Sequence, residues 1–245
     1  MREEMSGSEE SSVVNDIHRA LVIAPHPDDE VLGCGGTIAA LTAEGCEVHV
    51  LIASQDLPPL YSADTAPAIR AEAARAHEEL GVASTDYLSH PSVELARMGV
   101  AELNAGIQAA VDRIKPELVL APFPDRHLDH KAVFEAAMVA CRPIGTGMGI
   151  TTVALYETIS ETHWNVPHIE ADFTPDWFVD ISDFVDVKLS AFASYASQVQ
   201  DYPGPRSIRA LEALATFRGS QVSLEYAEAF HTVRRVTRAI NAVST

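Results

Sequence analysis

The stretch Ala20-Leu21-Val22-Ile23-Ala24-Pro25-His26-Pro27-Asp28-Asp29-Glu30 decides how the rest of the chain is read. Five consecutive apolar residues give a strand covered on both faces, the pattern of a buried parallel strand, and Pro25 breaks it. Four ionisable side chains then follow within five residues. In an open parallel sheet, ligands sit beyond the C-terminal ends of the strands, which is where this cluster falls.

Working outward, Gly33 to Gly36 are expected to turn the chain, with a helix over Thr37 to Glu44 and a second strand over Glu47 to Ala53. Residues 66 to 80 carry Ala, Arg and Glu at helical spacing and stop at Gly81, a good C-terminal cap. A strand near Asp86 to Leu88, a helix from Val100 to Ile114 and an apolar strand over Leu118 to Ala121 repeat the alternation. Strands separated by helices predict an α/β fold, a Rossmann-like, mostly parallel sheet with helices on both faces. Further on, the pattern predicts a helix near Lys131 to Cys141, strands at Thr152 to Thr158 and Phe178 to Ile181, and helices at 183 to 200 and 206 to 217. No internal repeat or Pro-, Gly- or Ser-rich linker divides the chain, so one domain is expected over 19–245. The acidic, Ser-rich residues 1–18 have almost nothing to bury and are expected to be a disordered tail.

Composition narrows the function. The chain has 245 residues, 47% hydrophobic and 21% charged, enough for one sizeable core. Seventeen basic against 35 acidic residues give a formal charge of −18, which argues against a nucleic-acid surface and for a small-molecule partner. Cys34, Cys46 and Cys141 form neither a CxxC pair nor a disulfide framework, which suggests a reducing compartment. With no signal-peptide core and no apolar run of membrane-spanning length, the expectation is a cytoplasmic protein with no membrane partner. Self-association into a homo-oligomer is left open.

The fourth strand of this reading runs into Pro124-Asp125-Arg126-His127-Leu128-Asp129-His130. If it neighbours the first strand, two clusters about a hundred residues apart meet at one sheet edge. A hydrolytic metal centre needs three protein ligands and an open position for water. His26, Asp29 and His130 would supply two nitrogens and an oxygen, a set that suits zinc although other divalent ions compete for it. Asp28, next to a ligand, is placed to take the proton of water, and His127 can meet an oxyanion. Asp129 can orient His127, support a ligand from behind, or cap the helix.

These residues resemble a known family. Ala24-Pro25-His26-Pro27-Asp28-Asp29-Glu30, followed by Gly33, Gly35 and Gly36, is similar to the opening AHPDDE motif of the PIG-L/LmbE-like N-acetylglucosaminyl deacetylases, and His127-Leu128-Asp129-His130 to their second motif, HPDH. The resemblance implies zinc held by His26, Asp29 and His130, Asp28 as general base and His127 stabilising the tetrahedral intermediate. It also implies an N-acetylated amino-sugar substrate and hydrolysis of its amide. Ile69-Arg70-Ala71-Glu72-Ala73 resembles the family's arginine-bearing helix and makes Arg70 a substrate-contact candidate. Asp180-Ile181-Ser182, Lys188, Ser197-Gln198 and Tyr226 to Phe230 extend the likeness over roughly residues 20 to 231. Three departures stand out. Pro25 replaces another small residue, Leu128 replaces proline, and His90-Pro91-Ser92-Val93-Glu94 stands where many members use an Asp to hold a sugar hydroxyl.

Other readings compete. Gly33-Cys34-Gly35-Gly36 after a strand suggests a dinucleotide-binding module, but the fingerprint needs its last glycine at position 38, which is Ile. A scaffold that has lost its chemistry would be expected to lack a ligand or the base, and all are present. Among enzymes, an amidase acting on another amide, such as a thiol-conjugate of an amino sugar, is the alternative. Cys34 is read as a small packed residue, and His163 and Trp164 as capping the sheet in preference to stacking on a substrate ring.

Overall fold

The computed structural model describes residues 17–237. The tail expected over residues 1–18 lies outside them apart from Ile17, which packs against the core, and His18. Among the described residues seven strands form one sheet, β1 (Arg19–Ala24), β2 (Glu47–Gln55), β3 (Ser84–Pro91), β4 (Leu118–Pro122), β5 (Thr152–Tyr156), β6 (Trp177–Asp180) and β7 (Ala227–Arg235), in the order β3-β2-β1-β4-β5-β7-β6. The first five in that order are parallel, while β7 runs antiparallel between β5 and β6. The mostly parallel α/β architecture is the one the alternation predicts.

Successive residues of a strand face opposite sides, and β1 divides accordingly. Ala20, Val22 and Ala24 join the core beneath α1 (Asp29–Ala43), α2 (Thr65–Glu79), α5 (Val185–Ala193) and α6 (Ile208–Ser220). Leu21 and Ile23 join the other core, beneath α3 (Val100–Ile114) and α4 (Leu128–Ala140). Strand order reverses between β1 and β4, so the two crossovers leave on opposite faces and open a crevice at their C-terminal ends. Both acidic–imidazole clusters hang over that crevice.

Several elements differ from expectation. Gly33 to Gly36 do not turn the chain; they lie inside α1, which begins at Asp29. Close packing is the reason: a Cβ at Gly33 would come within 2.8 Å of Tyr156 Cγ, and one at Gly36 within 2.7 Å of Ile181 Cγ2. A helix can pass that close to its neighbours only without side chains there. This also removes the loop a dinucleotide fingerprint requires. The C-terminal edge of the sheet was predicted only in part, since β7 has no expectation of its own and the helices at 183–200 and 206–217 are observed as 185–193 and 208–220. Strand β3 runs on to Pro91, past the Leu88 expected, and among the described residues it is an outer strand paired only with β2.

Candidate active site

Asp28 precedes α1 with φ of 121°, a region costly for a residue bearing a Cβ. Its amide donates to Glu30 Oε2 at 3.1 Å, and Glu30 is gripped by His77 Nε2 at 3.0 Å and by the Tyr195 hydroxyl. The unusual backbone sends consecutive carboxylates to different places. Asp28 lines the cleft, together with His26, His127, Gln198 and Arg206. Asp29 turns inward and is fully buried.

Asp29 Oδ2 is where the imidazoles converge. It lies 3.1 Å from His26 Nδ1 and 3.3 Å from His130 Nε2. Each ring is held from its far side: His26 Nε2 meets Asp129 Oδ2 at 3.1 Å, and His130 Nδ1 meets Asp125 Oδ2 at 2.9 Å. His127 completes the group, since ligand atoms of His26, His127 and His130 all lie within 4.8 Å of one another. His127 is the N-cap of α4 and its Nδ1 accepts the Asp129 amide at 3.2 Å. An accepting Nδ1 places the proton of the neutral ring on Nε2, which leaves that nitrogen a donor.

Charge follows the geometry. Burial opposes a proton on His26, yet the bonds to Asp129 and Asp29 outweigh it and raise the group to about 9. Burial likewise opposes charge on His130, but Asp29 and Asp125 bring it up to about 10. Burial pushes the Asp29 carboxyl up, and His130 and His26 more than reverse this, holding it well below the usual carboxylate range. Asp28 is raised by burial, with Arg206 offsetting only part. His127 is pushed down to about 4 by burial and by the neighbouring imidazoles, so its ring is neutral.

Do these residues suit a cation? Asp28 Oδ1 and Oδ2, Asp29 Oδ1 and His130 Nε2 are buried without a hydrogen bond among the described residues. Orphaned buried polar atoms are uncommon in folded proteins, and two of these four, Asp29 Oδ1 and His130 Nε2, belong to the candidate ligands, which fits a site built to coordinate. The donor set, imidazole nitrogen with carboxylate oxygen, suits zinc and its neighbours in the transition series.

The remaining candidates divide between the site and its surroundings. Asp129 neither caps α4 nor turns to the His127 ring: it accepts the amides of Val93 at 2.6 Å and Leu95 at 3.1 Å while holding His26. It thereby ties the departing His90–Glu94 segment to the site. Arg70 is exposed, donates to Gln55 Oε1 and lies over the Tyr87 ring; its neighbour Ile69, not Arg70, lines the cleft. His163 pairs with Glu157 at 2.8 Å and Trp164 is exposed, neither on the cleft. The three cysteines are buried and unpaired.

Neither Asp125 nor Arg206 has an assigned role in the sequence. Asp125, five before His130, carries a faint signal as a carboxylate in the same loop. Arg206, whose Nη1 stands 3.1 Å from Asp28 Oδ2, carries none, since only folding brings it there.

A crevice at the switch point of a parallel sheet, lined by carboxylates and imidazoles from β1 and β4, defines the class: a Rossmann-like α/β protein with a polar, metal-compatible cleft. The family match is to PIG-L, GlcNAc-PI de-N-acetylase, over residues 21–141. An uncharacterised deacetylase of Escherichia coli, YaiS, is 31% identical over 188 residues, covering 72% of this chain and 90% of that protein. The diacetylchitobiose deacetylase of Thermococcus kodakarensis is 28% identical over 232 residues, covering 89% and 84%. Among solved structures, the conserved protein TT1542 from Thermus thermophilus superposes with a TM-score of 0.72 at 29% identity, covering 92% of this chain and 99% of that one. This chain belongs to the PIG-L family.

Proposed function

We propose that the chain is a zinc-dependent N-deacetylase, a hydrolase that removes the acetyl group from a small amino-sugar substrate. The observation that carries this reading is the split between neighbours: Asp29 Oδ2 within 3.3 Å of two imidazoles, and Asp28 turned into the cleft. The deacetylase relatives, one named for a chito-oligosaccharide substrate, support the same reaction.

His26, Asp29 and His130 would hold the ion, which when bound supplies a Lewis acid and a water of lowered pKa. Asp28 takes the proton from the attacking water and later delivers it to the departing amine, so that the amide C–N bond breaks to acetate and a free amine. His127, neutral with its proton on Nε2, donates to the oxygen that gains charge as the carbonyl becomes tetrahedral. Asp125 and Asp129 keep the two rings facing inward. The polar cleft, about 130 Å³, suits a compact, hydroxyl-bearing ligand.

The test is a panel of N-acetylated amino sugars, including N-acetylglucosamine and N,N'-diacetylchitobiose, assayed with zinc-loaded protein for acetate and free amine. Release from at least one sugar is expected. Turnover confined to a thiol-conjugate or an unrelated amide would move the assignment to an amidase, and no turnover of any amide would reject it.

A further inference from the structure

Asp28 reaches the cleft from a strained backbone, and both its oxygens are buried with no hydrogen bond among the described residues. No hydrogen bond among the described residues therefore fixes the carboxylate torsion. Across from it stands Arg206, the sole Lys or Arg lining the cleft among the described residues, with Nη1 3.1 Å from Asp28 Oδ2 and outside hydrogen-bond geometry. We infer that Arg206 is a positioning residue that aims the Asp28 carboxylate at the reacting water.

The guanidinium can do this because it is itself held. Its Nε donates to Ser160 Oγ at 3.1 Å and its Nη1 to Gln198 Oε1 at 3.0 Å, so two further segments orient the plane. Its backbone is anchored as well. The Arg206 carbonyl accepts the Gln200 amide at 3.1 Å, and the next residue, Ser207, caps α6 by accepting the Ala210 amide at 3.2 Å. A permanently charged guanidinium held on a fixed platform attracts the facing carboxylate from one set direction, where a flexible ammonium would not keep its place. The arrangement also differs from a plain buried ion pair, whose partners would be expected to saturate each other with hydrogen bonds. Here neither carboxylate oxygen has a hydrogen bond among the described residues, which suits a group that exchanges a proton with a third party.

The inference rests on Asp28 being the base, and the experiment separates the two. The zinc-loaded protein and its variants are assayed on N-acetylglucosamine, or on N,N'-diacetylchitobiose if the monosaccharide is not turned over. Metal content and circular dichroism are recorded alongside. Arg206→Met is expected to lower kcat by roughly 10²-fold, the scale of an ångström of misplacement, with KM and bound metal near parental. Arg206→Lys keeps the charge without the fork and should recover part of that loss; it is also the decisive variant if Arg206→Met does not fold. Ser160→Ala removes one of the two tethers of the guanidinium and should lower kcat by less than Arg206→Met does, with KM and bound metal near parental. A parental kcat for the Arg206 variants beside an inactive Asp28→Asn overturns the role of Arg206 alone. So does a loss confined to KM, which marks a substrate contact, or a Ser160→Ala loss as deep as that of Arg206→Met, which marks a loop tether. A parental rate for Asp28→Asn overturns the base assignment and the inference with it.

Discussion

Lys188 Nζ lies 2.5 Å from Glu228 Oε1 beneath the middle of α1, and the pair is joined to a single turn of that helix. The ammonium donates to the Leu32 carbonyl at 2.9 Å, while the carboxylate accepts the amides of Gly36 at 2.9 Å and Thr37 at 2.7 Å. Cation on carbonyl and anion on amides match the local dipoles of the helix backbone. The contact is possible because Gly35 presents no side chain; a Cβ there would meet Lys188 Cγ at 3.0 Å. The pair thus links α5 and β7 to the helix whose first residue is Asp29.

Removing one partner should therefore be costly. Lys188→Met leaves Glu228 buried without its cation and is expected to lower unfolding free energy by about 3–5 kcal/mol, read by urea denaturation. Adding Glu228→Gln should recover part of that loss, because a neutral amide needs no counter-ion. A single variant as stable as the parent would show that the pair contributes nothing net.

Elemental analysis divides the imidazoles. His130→Ala is expected to lose the ion, since Nε2 is a proposed ligand and Nδ1 is held by Asp125. His127→Ala should keep it but lose roughly 10²- to 10³-fold in kcat, as a donor to the developing oxyanion does. Retained metal in the first variant, or lost metal in the second, would reverse the two roles.

Asp125 offers a finer test. Its Oδ2 accepts from His130 Nδ1 at 2.9 Å and from the Thr162 hydroxyl at 3.0 Å. Asp125→Ala frees the ring to rotate, and zinc affinity measured by competition with a chelator should fall by about 10- to 100-fold. An unchanged affinity would mean that packing alone orients His130.

Asp28→Asn preserves size while abolishing proton acceptance. A folded, metal-loaded protein slower by roughly 10²- to 10⁴-fold is expected. Loss of the metal would instead make Asp28 a ligand and undo the division between it and Asp29.

Much of the architecture was legible because it rests on local pattern. The helix over Val100–Ile114 and the strand at Leu118 are visible in apolar periodicity, and both motifs sit where strands end. The failures have local causes too. Glycine reads as a turn unless the packing partner is known, and for Gly33 and Gly36 those partners, Tyr156 and Ile181, are remote in sequence. Strand β7 has no local signature, because pairing with β5 and β6, more than composition, makes it a strand.

Residue order alone sets which chemistry the chain can attempt, since two clusters of imidazole and carboxylate each follow a buried strand. How that chemistry is shared out depends on the folded arrangement. Adjacency of β1 and β4 brings Asp29 to His130, the Glu30 contact bends Asp28 away from its neighbour, and the loop before α6 carries Arg206 to the far wall. The physical reason is range. Strand and helix propensities act over a few residues, whereas the orientation of a buried charge is set by whichever partners the fold delivers within about 3–4 Å.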